Sequence, residues 1–166
     1  AVPPAAQQRP SAESIYSSGD PNSSEVYKPA MQHKDRGDHG AALKLLQRAL
    51  TEDEKKYGPD HPQVAVSLSN LARLYQDIGM PDRALPLYER ALAIDRQTYG
   101  DDHPAVARDG SNVAGVYYGS GAYEQAQPLY EQAIAIDRKA YGGEHPAVAQ
   151  DWTNLGGVAF ALGDYA

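Results

Sequence analysis

Apolar residues between positions 61 and 102 recur at spacings of three and four, the pattern produced by one face of an α-helix. The first stretch carries Leu68, Leu71, Ala72, Tyr75 and Ile78, and the second carries Ala84, Leu87, Tyr88, Ala91, Leu92 and Ile94. We therefore predict one helix from about Pro62 to Asp77 and another from about Asp82 to Tyr99. Large and small apolar side chains alternate along both, which lets two antiparallel helices pack closely.

Residues that begin and end helices mark the limits of this pair. Pro62 suits the first helical turn, where its missing N–H is not needed, and Asp60 or His61 is a candidate N-cap. Gly79 supplies a permissive backbone between the two helices, and Gly100 follows the second. These signals agree with the limits set by the apolar pattern.

The same helix pair returns along the chain with a period of 42 residues. The motif Tyr-Gly-x-x-His-Pro occurs at residues 57–62, 99–104 and 141–146 with no change of register. Three occurrences at one spacing indicate tandem repeats that stack into a quasi-linear, all-α array. The predicted organisation is a flexible leader at 1–24, a degenerate repeat at 25–60, complete repeats at 61–102 and 103–144, and the first helix of another repeat at 145–166.

The N-terminal quarter departs from the pattern. Residues 1–24 are rich in Pro and Ser and hold few large apolar side chains, which predicts flexibility. A start at Ala1 fits either cleavage of a signal peptide or an arbitrary boundary, and a periplasmic, exported or cytoplasmic location stays open. In the degenerate repeat, Pro29 lies where a core leucine is expected, which argues against a regular first helix there.

The repeat resembles a known family. The series Leu68, Leu71, Ala72, Tyr75, Gly79, Ala84, Tyr88 and Ala91 is similar to the tetratricopeptide repeat (TPR) signature, over roughly residues 38–166. The long second helix and its connector resemble the 42-residue variety found in kinesin light chains and many bacterial proteins. This resemblance implies a right-handed α-solenoid of antiparallel helix pairs. It implies little about function, because the repeat occurs in many unrelated proteins.

Composition narrows the classes of partner. The formal net charge is −7, the sequence pI is near 5.1, and Lys and Arg are spread among acidic residues in every repeat. Such a chain repels a phosphate backbone, so nucleic acid is not expected as a partner. No apolar run is long enough to cross a bilayer, so membrane insertion is not expected either. Cysteine is absent, which removes disulfides and thiolate chemistry.

No residue pattern in the chain predicts catalysis, a metal or a cofactor. His61, His103 and His145 are one repeat apart, about 20 Å in a solenoid, and cannot share one ion. We interpret them as caps or packing residues at helix starts. The run of acids at 52–54 precedes Lys55 and predicts an ordinary solvated helix face. No phosphate loop or nucleophile elbow occurs, and an enzyme would need a further domain.

Six tyrosines recur at three register positions, where the pattern predicts buried side chains with a polar edge. They are Tyr75, Tyr88, Tyr99, Tyr117, Tyr130 and Tyr141. Tyr118 follows Tyr117 and must point away from that core, toward the inner surface of the array.

The TPR resemblance implies a concave groove lined by the first helix of each repeat. Its positions in this chain include Asn70, Arg73, Asp77, Arg108, Asn112, Gly115, Tyr118, Asn154 and Phe160. Asn70, Asn112 and Asn154 share one register, and an amide can both donate to and accept from a peptide backbone. The simpler interpretation is that each amide bonds a neighbouring helix. We also expect the glycines to leave the groove floor open and the two aromatics to serve as apolar anchors.

Two functional hypotheses remain from the sequence. The first is a non-catalytic module that binds an extended peptide or helix of a partner protein in this groove. Binding of an acidic peptide tail is not expected. TPR proteins that bind such tails use Lys and Arg at specific groove positions, and in this chain those positions hold Ser69, Ser111, Gln150 and Asn154. The second is an assembly segment that extends a longer solenoid or self-associates. The apolar last helix, with Trp152 and Phe160, leaves homodimerisation open.

Overall fold

The computed structural model describes residues 21–163 and contains seven α-helices there. They are α1 Pro21–Asp35, α2 His39–Tyr57, α3 Pro62–Asp77, α4 Pro81–Tyr99, α5 Pro104–Gly119, α6 Tyr123–Tyr141 and α7 Pro146–Leu162. The described part of the chain has no β-strand, so the all-α repeat array expected from the sequence is confirmed. Helix α3 has the predicted limits, and α4 begins one residue earlier than predicted.

The connector motif starts the first helix of each repeat. The backbone N–H groups of Gln63, Ala105 and Ala147 donate to the Nδ1 atoms of His61, His103 and His145 at 3.1, 3.2 and 3.2 Å. Each imidazole also stacks on the tyrosine four residues before it, with ring centroids 4.3 to 4.8 Å apart. The interpretation of these histidines as caps is therefore confirmed.

Every helix is followed by a glycine with positive φ, and these glycines are spaced strictly by 21 residues. They are Gly37, Gly58, Gly79, Gly100, Gly121, Gly142 and Gly163. At Gly79 the φ angle is 77°, a conformation that residues with a Cβ adopt at a cost, and the turn between α3 and α4 consists of Ile78, Gly79 and Met80. Each helix together with its following turn therefore spans 21 residues, half of the 42-residue repeat.

Consecutive helices pack against each other along the array. The core between α3 and α4 combines Leu68 with Ala91 and Ile94, and a second cluster joins Tyr88 to residues of the neighbouring repeats. Helices α1 and α3, and α5 and α7, also contact each other across the helices between them. Ser69 of α3 also donates to Asp109 of α5 at 3.4 Å, so the first helices of successive repeats lie side by side and form one layer.

Two predictions for the N-terminal part need correction. Helix α1 begins at Pro21, inside the segment predicted as a leader, and residues 1–20 lie outside the described part of the chain. The same helix continues through Pro29, although we expected this proline to prevent a regular helix. Burial explains the difference, because Ala30 is fully buried and Tyr27 and Met31 pack against the same core as α2 and α3.

The tyrosine prediction is correct for only half of the set. Tyr75, Tyr88 and Tyr130 are buried, whereas Tyr99 and Tyr117 are half-buried and Tyr141 is 42% exposed. Tyr141 stacks on His145 at the surface of the connector. The tyrosine of the connector motif thus packs against the histidine of the same motif and does not fill the core.

Helix α7 leaves large apolar side chains in solvent. The exposed fractions are 51% for Trp152, 71% for Phe160 and 39% for Leu162. In the register of Trp152 the earlier repeats carry Leu68 and Gly110, which are both buried, and Leu68 packs against Ala91 and Ile94 of α4. None of the described helices combines the length and apolar character needed to cross a membrane.

Candidate functional site

A cavity of about 280 Å³ opens between the first helices of the two complete repeats. Its walls come from α3 and α5, and Tyr88 of α4 contributes to the lining. The lining residues are Val66, Ser69, Asn70, Arg73, Tyr88, Arg108 and Asn112. Four of the residues expected to line a groove, Asn70, Arg73, Arg108 and Asn112, are therefore brought together here.

The two asparagines lie on opposite walls of this cavity and are half-buried. Within the part of the chain that the structure describes, neither amide forms a hydrogen bond with another residue. This does not match the simpler interpretation, in which each amide bonds a neighbouring helix. Asn154 differs, because its Oδ1 accepts a hydrogen bond from Gln150 Nε2 at 3.1 Å.

The two arginines of the cavity are held by different partners. Arg73 donates to the hydroxyl of Tyr27, and its guanidinium lies 5.1 Å from the centroid of that ring. Arg108 Nη2 lies 2.9 Å from Asp109 Oδ1 and 3.2 Å from Asp95 Oδ2. Since both carboxylates are buried, much of the Arg108 charge is balanced inside the protein.

The other expected groove residues lie outside the cavity lining. Asp77 forms an ion pair with Lys34 of α1, whose Nζ donates to Asp77 Oδ2 at 2.8 Å. Tyr118 is 41% exposed and lies against Tyr123, with ring centroids 5.5 Å apart. Phe160 is exposed near the end of the array.

Our expectation that glycines leave the groove floor open is wrong for Gly157. A Cβ at Gly157 would lie 3.1 Å from the Tyr118 hydroxyl, so that side chain already occupies the space. A Cβ at Gly115 would make ordinary contacts, 3.6 Å from the Tyr130 hydroxyl and 3.8 Å from Gln76 Nε2. Gly157 thus makes room for a side chain of the adjacent helix.

The sequence analysis missed a set of buried carboxylates between repeats. We call the contact between the second helix of one repeat and the first helix of the next a joint: α2 with α3, α4 with α5, and α6 with α7. Buried acids lie in these joints at Asp53, Asp95, Asp109, Asp137 and Asp151. The prediction that residues 52–54 form a solvated face is wrong for Asp53, which is 3% exposed and accepts a hydrogen bond from Ser67.

A signal for these acids was present in the chain. Asp53, Asp95 and Asp137 are 42 residues apart, as are Asp109 and Asp151. Burial raises the pKa of Asp109, while Arg108 opposes that shift. Burial and the nearby Asp151 raise the pKa of Asp137 to about 6.

Comparison with known proteins identifies the repeat. The tetratricopeptide repeat family model matches residues 30–97, 79–139 and 109–166, which together span most of the chain. The chain belongs to the tetratricopeptide repeat family. Repeats of this family generally mediate protein–protein interaction, and the fold is typically a non-catalytic scaffold. No curated protein matches the chain.

Solved structures place this TPR array near the kinesin light chain type. A Podospora anserina protein assigned to the kinesin light chains, with nearly identical TPR-like repeats, is 27% identical, with a TM-score of 0.78 over 88% of this chain and 70% of its own. BtubC (BKLC) from P. vanneervenii is 25% identical, with a TM-score of 0.74 over 84% of this chain and 56% of its own. The chain thus spans little more than half of that relative.

A chaperone structure has a similar fold. The type III secretion translocator chaperone SycD of Yersinia enterocolitica is 15% identical, with a TM-score of 0.62 over 85% of this chain and 86% of its own. At this identity the match shows the fold alone.

Proposed function

We propose that this TPR array is a protein-interaction module that binds an extended peptide segment of a partner between α3 and α5. The observation that carries the proposal is the cavity whose opposite walls present the amides of Asn70 and Asn112. Each amide offers one acceptor and two donors, and neither is used within the described residues. A peptide backbone needs both types of partner, so this pair suits a chain of varied sequence.

The surroundings of the two amides favour a polar, partly enclosed contact. The cavity is small for a whole helix but sufficient for one or two residues of an extended chain. Val66 and Tyr88 give it an apolar portion, and Arg73 adds a positive charge near its rim. Asn154, Tyr118 and Phe160 would continue the contact toward α7.

A second candidate function is assembly of the array with another TPR segment. The observation that favours it is the exposed apolar surface of α7, which includes Trp152 and Phe160. Apolar surface of this kind in a repeat array is normally covered by the next helix. A clean monomer in analytical ultracentrifugation at high protein concentration would contradict assembly through this surface.

Partner capture by variants separates the two candidates. The test protein carries Asn112→Ala with Tyr118→Ala, and the matched control carries Gln97→Ala with Glu131→Ala, exposed positions on α4 and α6. We expect the groove variant to lose a partner that the wild-type chain and the control both retain. Circular dichroism should show the same helical content in all three proteins. Equal capture by the groove variant would contradict binding in the groove.

A further inference from the structure

The three joints carry the same acid in α2, α4 and α6 but differ in what faces it. In the first joint, Asp53 accepts a hydrogen bond from Ser67, and the position before Ser67 is Val66. In this joint the register of Asp109 and Asp151 therefore holds a neutral donor, and the register of Arg108 holds an apolar side chain.

The second joint holds two carboxylates and one guanidinium. Asp109 occupies the register of Ser67, and Arg108 occupies that of Val66. Arg108 bridges Asp95 and Asp109, and both carboxylates are 0% exposed. The second acid is thus accompanied by an arginine that bonds both carboxylates.

The third joint has the second acid without the arginine. Asp151 faces Asp137, but the register of Arg108 is occupied by Gln150. Gln150 donates to Asn154 at 3.1 Å and has no hydrogen bond to either carboxylate. The third joint therefore combines two buried acids with no arginine in this register, and the nearby side chain that can carry a positive charge is His145 of the connector.

The hydrogen bonds in this joint leave one carboxylate oxygen without a donor. Ser111 donates to Asp151 Oδ1 at 2.7 Å, whereas Asp137 Oδ1 has no hydrogen-bond partner among the described residues. In the second joint Asp95 Oδ1 and Asp109 Oδ2 also lack a hydrogen-bond partner among those residues, but there Arg108 bonds the other oxygen of each acid. Asp137 is 5% exposed and Asp151 is 6% exposed, whereas the pair covered by Arg108 is fully buried. A buried carboxylate oxygen with no donor is costly, and a charged donor would reduce that cost most.

We propose that the third joint binds the guanidinium group of an arginine on the partner peptide, in the place that Arg108 occupies in the second joint. This proposal rests on the proposed groove function. Arg108 shows how a guanidinium can reach such a pair of acids from the groove. Its side chain is 36% exposed, lines the cavity between α3 and α5, and contacts both Asp95 and Asp109. The planar fork of a guanidinium can bond two carboxylates at once, which a lysine ammonium does less well. The net charge of −7 is consistent with a basic partner.

A proton competes with the guanidinium for this position. The pKa of Asp137 is raised to about 6 by burial and by Asp151, while His145 lowers it. Ser111 is the donor facing Asp151 from α5. A bound guanidinium stabilises both charged carboxylates, so it should lower the pKa of Asp137 and bind more tightly at pH 8 than at pH 5.

The test uses acetyl-arginine-amide as the probe and acetyl-citrulline-amide as its neutral control of similar shape. Carbon-13 NMR of the aspartate carboxyl groups in the whole protein would follow each residue during titration. We expect the arginine probe to shift the Asp137 and Asp151 signals and to lower the Asp137 pKa. The Asp95 and Asp109 signals, already paired with Arg108, serve as the internal reference and should not move. The variant Gln150→Arg should lower the Asp137 pKa without the probe and abolish the response to it.

Three results would each overturn the proposal. They are no shift of Asp137 at 100-fold molar excess of probe, an equal shift with the citrulline control, and an undiminished response in Gln150→Arg. The outcome is independent of the groove test with Asn112 and Tyr118. If that test fails while the probe still binds, the proposed function is wrong although the joint recognises a guanidinium. If only the probe fails, the groove function stands and the arginine proposal is wrong.

Discussion

At the scale of single residues, glycines in the middle of helices have different roles that the sequence alone does not distinguish. Gly110 lies in the middle of α5 with ordinary helical geometry, is buried, and would place a Cβ where no atom lies within 4 Å. Gly157 lies in the middle of α7, where a Cβ would come close to Tyr118. Only the first of these positions has room for a side chain.

We predict that Gly110→Ala raises the free energy of unfolding. Alanine costs a helix interior about 1 kcal/mol less than glycine, and at this position no neighbour must move. Urea unfolding followed by circular dichroism should show a gain of about 0.5 to 1 kcal/mol. The matched control is Gly157→Ala, in which displacement of the Tyr118 hydroxyl offsets the gain. Equal stabilisation by both substitutions would contradict this account of the two glycines.

The buried acids show why part of the site could not be predicted from composition. Asp53 lies between Glu52 and Glu54 and shortly before Lys55, so the local run of charged residues indicates solvent. Its burial depends on Ser67, which comes from the next repeat. Spacing by 42 residues could have identified the set, because a solvated acid has no reason to keep its register.

At the scale of helices, local signals predicted most limits correctly because they act within a few residues. His61 and Pro62 begin α3, and positive-φ Gly79 follows it. The exception is α1, where Pro29 removes one backbone hydrogen bond from the helix. Packing of Ala30 and its neighbours against α2 and α3 outweighs this loss. A contact with distant residues cannot be read from the local pattern.

We predict that Arg108→Gln destabilises the contact between α4 and α5. The substitution converts the second joint to the composition of the third and leaves Asp95 and Asp109 facing each other without the guanidinium. Because Arg108 is partly exposed, we expect a loss of about 1 to 3 kcal/mol at pH 7.5, below the usual cost for a fully buried pair. Thermal unfolding should show a smaller loss at pH 5, where one acid can bind a proton.

The control for this prediction is Arg90→Gln. Arg90 pairs with Glu54 at 2.6 Å, but both side chains are about one third exposed. Surface pairs of this kind contribute about 0 to 1 kcal/mol. If Arg108→Gln costs no more than Arg90→Gln, the buried carboxylates do not need the guanidinium.

We predict that the third joint is more stable at acidic than at neutral pH. The pKa of Asp137 is raised to about 6 in the folded chain from an ordinary value of 3.8. The folded state therefore binds the proton more tightly, and this contribution to stability is lost as the pH rises from about 4 through 6. Hydrogen exchange of α7 amides should be slower at pH 5 than at pH 7 after correction for the intrinsic rate. The variant Asp137→Asn should remove this pH dependence of exchange. The same pH dependence in the variant as in the wild-type chain would contradict the role of Asp137.

At the scale of the whole molecule, the 42-residue period gave the architecture, because each repeat contacts mainly its neighbours. The same period placed Asn70 and Asn112 on facing walls of one cavity. It did not predict that Tyr118 fills the space above Gly157, since that depends on the rotation between repeats and on side-chain direction. Register thus predicts which positions align, and packing decides which of them remain accessible.

The most direct test of partner binding in the groove is site-specific photo-crosslinking to the captured partner. One protein would carry a photoreactive amino acid in place of Asn112, and another would carry it in place of the exposed Gln97 on α4. We predict a crosslinked partner peptide from position 112 and none from position 97. Crosslinks only from position 97, or a product containing two copies of this chain and no partner, would contradict binding between α3 and α5.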